Sequence, residues 1–397
     1  MTNHPEKLND GTPHDIVSEI RAVLAAFLMA GAGIGVLSGL SGVFIKAVCE
    51  DTGLSRTSFS LIGSISIMVS ALAAPVSSKI LFGKNMRLAV FAGAIVCGGV
   101  PFLYSLSSAV WQFWLASALN GLFLNFVTML AAGTLLSRTL SSKSTKAVGA
   151  AFAATGLFTS AATPLAVKAI DAVGWRYAWA ITGAFAALML VAASWLIPPN
   201  LPETEITKTK ETSEFKKKLY MAAAAVFIVN FCNLALFNHA MPFLSDIGYQ
   251  GRAAVIISQA AALMTAARLG AGFVYSGLGA LVGTKLLSLS LAVCALCALY
   301  LPGGSTLTLY VLTLAVSSTA SALPAKALAT GPDQKTDRKI YAHMTIFSSL
   351  GSALGPLAAG AVFDNAGSYR PMWVLCLFMA ILAFWMFSFS LGKIDKK

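Results

Sequence analysis

Charged residues make up only 11% of the 397 positions of this chain, against about a quarter in a soluble domain. A soluble fold of this length needs a charged surface, and 28 Lys and Arg with 16 Asp and Glu do not supply one. Acid is scarcer still where it would matter. All 16 carboxylate residues fall in tails, loops or the ends of apolar runs, so none sits deep in a hydrophobic segment to carry a proton or perform acid–base chemistry. No metal-ligand motif, catalytic triad or GxxxxGK[ST] nucleotide loop occurs. Cys294 and Cys297 have the spacing of a redox or metal pair, but no second pair accompanies them, and all 6 cysteines read as packing residues. These absences argue against an enzyme and an ATP-driven pump, and no cofactor is called for.

What the chain has is apolar length. Hydrophobic residues reach 57%, gathered in runs at about 22–48, 57–82, 88–106, 110–136, 147–170, 175–198, 219–244, 253–280, 284–302, 305–328, 340–363 and 371–392. Each is long enough to cross the bilayer as a helix, about 20 residues. They are about twice too long for barrel strands and show no in–out alternation, so helices are the remaining way to satisfy backbone groups in lipid. The expected class is all-α and polytopic, with twelve transmembrane helices. Sorting the 28 basic residues by connection places 21 on one side, including Lys79, Lys84, Arg87, Arg138, Lys143, Lys146 and the run ending in Lys218. Under the positive-inside rule both termini are cytoplasmic. The net charge of +12 is therefore topology and not a nucleic-acid surface. The polar, acidic first twenty residues do not resemble a cleavable signal peptide, so the first span is expected to be retained.

The only long polar connection divides six spans from six. The expected organisation is a tail 1–21, a first half 22–198, a central loop 199–218, a second half 219–392 and a tail 393–397. An internal repeat supports it. Pro164, Asp171, Gly174, Arg176 and Trp179 recur as Pro356, Asp364, Gly367, Arg370 and Trp373, about 193 residues on. Asp51, Gly53 and Arg56 recur as Asp246, Gly248 and Arg252, about 195 on. An even number of spans per copy makes the halves parallel repeats enclosing a central cavity.

With these features the chain resembles the major facilitator superfamily over essentially its whole length. The segments GVFIKAVCEDTGLSRTSFSLIGSISIMVSALAAP (Gly42 to Pro75), AVWQFWLASALNGL (Ala109 to Leu122), GWRYAWAITG (Gly174 to Gly183) and GPLAAGAVFDNAGSYRPMW (Gly355 to Trp373) are similar to the monocarboxylate-porter and oxalate:formate-antiporter branch. The resemblance implies the major facilitator fold and a substrate-binding Arg in the eighth span, here within Ala267-Arg268-Leu269. Several family landmarks are missing. The connection from Ser77 to Arg87 has no acid, Met264 stands where an acid precedes that Arg, Gly39 stands where the first span carries a Lys, and Ser348 stands near the Lys position of oxalate exchangers.

Arg268 is the one charge well inside a span, some sixteen residues into the eighth. Near the bilayer centre an Arg costs about 2.5–3.5 kcal/mol on insertion scales, and its planar fork suits a carboxylate held by two hydrogen bonds. With no acid in neighbouring spans, an anionic substrate is the expected counter-ion; the alternative is that Arg268 bonds exposed carbonyls or supports a gate. Asn120, Asn125, Asn233 and Tyr341 are further substrate-binding candidates, the amides having interhelical bonding as their alternative. Asn230 shares a face with Asn233. His239 and His343 are candidate proton or gate groups. Pro164, Gly355 and Pro356 are candidate hinges, with static packing as the alternative.

The expected function is secondary active transport of a small organic anion, a monocarboxylate by resemblance, through proton symport or anion exchange with alternating access. Two alternatives stay open: export of a hydrophobic or neutral molecule, and a transporter-like nutrient receptor. The expected partners are that substrate, the lipid bilayer and protons, without nucleic acid. The expected setting is a monomer in the cytoplasmic (inner) membrane of a bacterium.

Overall fold

The computed structural model describes residues 13–140, 144–199, 201, 216–302, 304–321 and 334–391. The side chains of Tyr341 and His343 lie outside the described residues, as do the tails and most of the central connection. Among the described residues every regular element is helical, as expected for a backbone that must satisfy itself without water.

The chain enters on α1 (Pro13–Leu28), passes through a π-helical stretch (Met29–Val36) and completes the crossing on α2 (Ser41–Thr52). It continues with α3 (Arg56–Phe82), α4 (Met86–Leu106), α5 (Val110–Leu124), α6 (Met129–Thr139) and α7 (Ser144–Leu196). The second part contains α8 (Lys216–Asn238), α9 (Ala240–Leu244), α10 (Ala253–Gly277), α11 (Gly279–Tyr300), α12 (Gly304–Ser317), α13 (Gln334–Ala366) and α14 (Arg370–Leu391). Ten helices are long and apolar enough to cross a membrane, and Thr306–Ala320 is a shorter apolar helix. One of the ten, Ala151–Leu196, is 46 residues long and is interrupted at Gly174.

The repeat seen in the sequence has a backbone cause. Gly53, Gly174, Gly248 and Gly367 adopt φ of 72°, 80°, 97° and 65°, a left-handed conformation that glycine takes without a Cβ penalty. All four turn the chain at the same end of the bundle, the end where α3 begins at Arg56. The helix after α5 breaks at residues 125–128, and α12 gives way to a 3-10 turn at Ser318–Ser321. These two breaks also stand about 193 residues apart, the repeat spacing.

Each half has its own apolar core. One cluster is built from residues between Ala22 and Ile197, the other from residues between Ala222 and Phe387. The repeated tryptophans anchor both. Trp179 stacks on Phe44 at 4.7 Å and touches Phe59, Tyr104 and Phe113. Trp373 meets Phe243 and Tyr369 at 5.4 Å.

The halves meet along two helix pairs, α7 on α10 and α3 on α13. Ser258 Oγ donates to the Ser160 carbonyl at 2.7 Å, and Ser64 Oγ donates to that of Ala353. A Cβ built on Gly156 would stand 2.5 Å from the Ala261 carbonyl oxygen and 2.9 Å from the Thr265 nitrogen, so only glycine permits the α7–α10 approach. Gly99, by contrast, faces open space. Gly156→Leu is expected to cost about 1–3 kcal/mol by overpacking and to lower the melting temperature of the detergent-purified protein, whereas Gly99→Ala leaves it unchanged or slightly raised.

Candidate functional site

Two polar centres link the halves at different depths, one buried and one at an exposed end. The first is Arg268 on α10, 8% exposed. Its Nη1 donates to Thr155 Oγ1 and, at 3.3 Å, to the Phe152 carbonyl, both on α7 of the first half. Its Nη2 donates at 3.3 Å to the Ser318 carbonyl, where the end of α12 loosens into the 3-10 turn. Carbonyls near a helix end are open to side-chain donors. A single guanidinium thus ties α10 to α7 in the other half and to the broken end of α12 in its own.

Arg138 provides a contrast. The sequence placed it in a connection, yet it lies in α6 and is 7% exposed. It donates to the carbonyls of Leu81 at 2.6 Å, Gly83 at 3.1 Å and Leu201 at 3.3 Å. These contacts pin α6 to the end of α3 and to Leu201 at the start of the central connection. Arg268 reaches across the halves.

The second centre lies at the Arg56 end. Arg56 Nη1 and Nη2 donate to the two oxygens of Asp246 at 2.6 and 3.2 Å, and Nη1 also donates to Tyr369 Oη at 2.7 Å. The guanidinium lies 3.6 Å from the centroid of the Phe363 ring. Asp364 accepts from the backbone N–H of Arg56 at 3.0 Å and of Thr57 at 2.8 Å, and from the Thr57 hydroxyl. The carboxylate of one half therefore caps the first turn of α3 in the other, where free N–H groups and the helix dipole favour negative charge. Below this latch His239, with no exposed surface, bonds Tyr369 Oη through Nδ1 at 2.9 Å and the Pro356 carbonyl through Nε2 at 2.9 Å. Ser60 Oγ stands 3.2 Å from Nε2. Burial pushes the Tyr369 phenol above its ordinary range and keeps it a neutral donor.

The Major Facilitator Superfamily description matches residues 22–337. The chain belongs to the Major Facilitator Superfamily. Its relatives include Monocarboxylate transporter 13 of Bos taurus, 26% identical over 365 residues, which span 89% of this chain and 84% of the relative. Monocarboxylate transporter 2 of Homo sapiens is 27% identical over 222 residues, 54% of this chain and 46% of the relative. Among solved structures, a bacterial homologue of the human lysosomal transporter Spinster superposes with a TM-score of 0.71 at 13% identity, covering 96% of this chain and 97% of that one. The human organic anion transporter MFSD10 gives 0.64 at 15% identity, covering 95% and 100%. The fold is that of a Major Facilitator Superfamily transporter, and the protein is a multi-pass membrane protein of a transporter family.

Within this superfamily fold, the expected site residues fall into separate groups. Arg268 stands between the halves. Asn120 donates to Ser66 Oγ at 3.3 Å, and Asn125 donates to the Ser70 carbonyl at 2.7 Å, so both tie helices of the first half. Asn233 is 3% exposed, and its amide oxygen, like that of Asn230, has no hydrogen-bond partner among the described residues. His239 and Pro356 are brought together in the latch. Pro164 lies inside α7, ahead of its break at Gly174, and Pro356 lies inside α13, while Gly355 abuts the Phe231 backbone of α8. Sequence reasoning used Arg56, Asp246 and Asp364 as repeat markers and missed them as an inter-half latch; charged residues at recurring turn positions were the available signal. The repeat counterpart of Asp364 is Asp171, which makes no side-chain bond among the described residues. Asp364→Ala is therefore expected to cost about 1 kcal/mol, the typical value of a lost helix cap, in thermal unfolding, while Asp171→Ala costs nothing measurable.

Proposed function

We propose that this chain is a secondary carrier that moves a small organic anion, a monocarboxylate, across the cytoplasmic membrane by alternating access. In this reading twelve spans cross the bilayer as halves 22–198 and 219–392, with both termini cytoplasmic. Ala151–Leu196 supplies two spans through its break at Gly174, and the twenty-one basic residues of one face set the orientation. The Arg56 end then faces outward and is closed, and Arg268 lies deeper, toward the cytoplasmic side. Each half's complete core within one chain supports a monomer as the functional unit.

The observation that carries this reading is the placement of Arg268: buried, between the halves, and held at 3.3 Å by the Phe152 and Ser318 carbonyls. Charge-assisted bonds run about 2.7–2.9 Å, so a carboxylate that takes the guanidinium fork exchanges the two 3.3 Å carbonyl contacts for shorter ones. That exchange makes the anion a bridge whose binding depends on how the halves are disposed, which is the differential affinity alternating access requires. The relatives named for monocarboxylate transport match across nearly the whole chain and support the same substrate class. Proton symport and anion exchange both fit, because the sequence places no carboxylate deep within the spans.

Arg268→Ala is expected to lower uptake of labelled monocarboxylates into proteoliposomes by at least about 30-fold, the equivalent of roughly 2 kcal/mol for removing one partner of a buried charge pair. Arg268→Lys retains the charge but not the fork and falls between the two. Unchanged uptake in Arg268→Ala contradicts the assignment.

A further inference from the structure

The hydrogen-bond chain beneath the outer latch has one direction. A carbonyl oxygen only accepts, so the His239 Nε2 that stands 2.9 Å from the Pro356 oxygen carries the ring hydrogen. Tyr369 Oη accepts from Arg56 Nη1 at 2.7 Å, and its own hydrogen points to His239 Nδ1 at 2.9 Å. The order is Arg56 to Tyr369 to His239 to Pro356, and it crosses from the first half to the second. His239 closes it only as the neutral ring with Nδ1 unprotonated.

We infer that His239 is a proton-binding site that controls the outer gate: the closed latch excludes the proton, and protonation of His239 from the outside opens the latch. A proton on Nδ1 turns that atom into a donor and confronts the Tyr369 hydroxyl, whose hydrogen has no other acceptor among the described contacts. Relief requires Tyr369 to turn its Oη away from Nδ1, and because the same oxygen accepts from Arg56 Nη1, that turn removes the Arg56–Tyr369 bond between the halves. The charged and titratable groups around His239 are Arg56 of α3, Asp364 of α13 and Tyr369 at the α13–α14 turn. Asp246 joins them through Arg56, and Cys49 of α2 borders the same cluster. The two carboxylates are already engaged, Asp246 by the Arg56 fork and Asp364 by the first turn of α3, so neither turns toward the ring. A cavity of about 230 Å³ lined by Lys46, Glu50, Arg56 and Asp364 adjoins the latch.

The inference rests on the alternating-access reading and differs from coupling through a transported proton. Because closure needs neutral His239, the proton leaves before the gate shuts. External acid therefore holds the carrier outward-open.

Spin labels at Glu50→Cys and Gln250→Cys, both exposed and outside the latch, in a Cys49→Ser background, measure the separation of the halves at this end in lipid nanodiscs by double electron–electron resonance. The long-distance population is expected to grow several-fold between pH 8 and pH 5. In His239→Gln, whose amide can donate to Pro356 and accept from Tyr369, it stays small at both values. In Tyr369→Phe, which frees Nδ1, the transition midpoint rises by about one pH unit. The same pH response in His239→Gln as in the unsubstituted protein, or no response in the latter, overturns the inference. Should His239→Gln fail to fold, an unchanged midpoint in Tyr369→Phe overturns it equally. A single short distance at every pH, with and without carboxylate, overturns the alternating-access reading itself.

Discussion

A bilayer interior holds no water to share with a polar group, so whatever polarity this chain sends there must be satisfied by the chain or by its cargo. Ser and Thr hydroxyls in the helices return to carbonyls one turn back, as Thr159 does to Thr155 at 2.8 Å and Ser117 does to Phe113 at 2.6 Å. Arg138 is absorbed by the carbonyls of Leu81, Gly83 and Leu201. The polar groups that cross between the halves are then the ones whose satisfaction depends on conformation, and they are where transport chemistry has to be sought. Arg268 and the latch formed by Arg56, Asp246, Asp364 and Tyr369 are such groups.

The two centres sit at different depths and answer different needs. The latch joins residues whose partners are close and short-bonded, and it closes one end by capping α3 with a carboxylate from the opposite half. Arg268 is held by Thr155 on α7 and, at 3.3 Å, by the carbonyls of Phe152 and Ser318, and these two longer contacts are the ones a ligand can replace. A carrier needs both: a closure strong enough to seal one end and a site soft enough to exchange its ligand. The glycine contacts at Gly156 and Gly42 let helices of the two halves, each with its own core, touch backbone to backbone.

Much of this was legible in the sequence because lipid imposes simple rules. Apolar run length located the helices, and the spaced recurrence of Asp, Gly, Arg and Trp announced two copies. The structure supplies the reason for the recurrence, since the repeated glycines occupy left-handed turns and Trp179 and Trp373 centre the two aromatic clusters. Arg268 stood out as a charge within an apolar run, and the superfamily followed from the same pattern. The latch was not legible, because Arg56 and Asp364 lie some three hundred residues apart and no periodicity couples them. Arg138 was assigned to a connection because it lies just past the apolar run 110–136, whereas α6 continues to Thr139 and the hydroxyls of Ser137 and Thr139 bond back within it. The π-helical stretch of the first span and the paired breaks near Asn125 and Ser318 were also invisible; Gly33 of that stretch packs on the Val127 carbonyl beside the first break, a contact between residues far apart in the chain.

The central claim is that a guanidinium buried between the halves waits for a carboxylate. Its most direct test is the thermal stability of the purified protein in the presence of a small monocarboxylate and, in parallel, of the corresponding uncharged amide. The account predicts that the carboxylate raises the melting temperature in a concentration-dependent manner, that the isosteric amide does not, and that the rise disappears in Arg268→Ala. Equal stabilisation by acid and amide, or a rise that persists without Arg268, would contradict it.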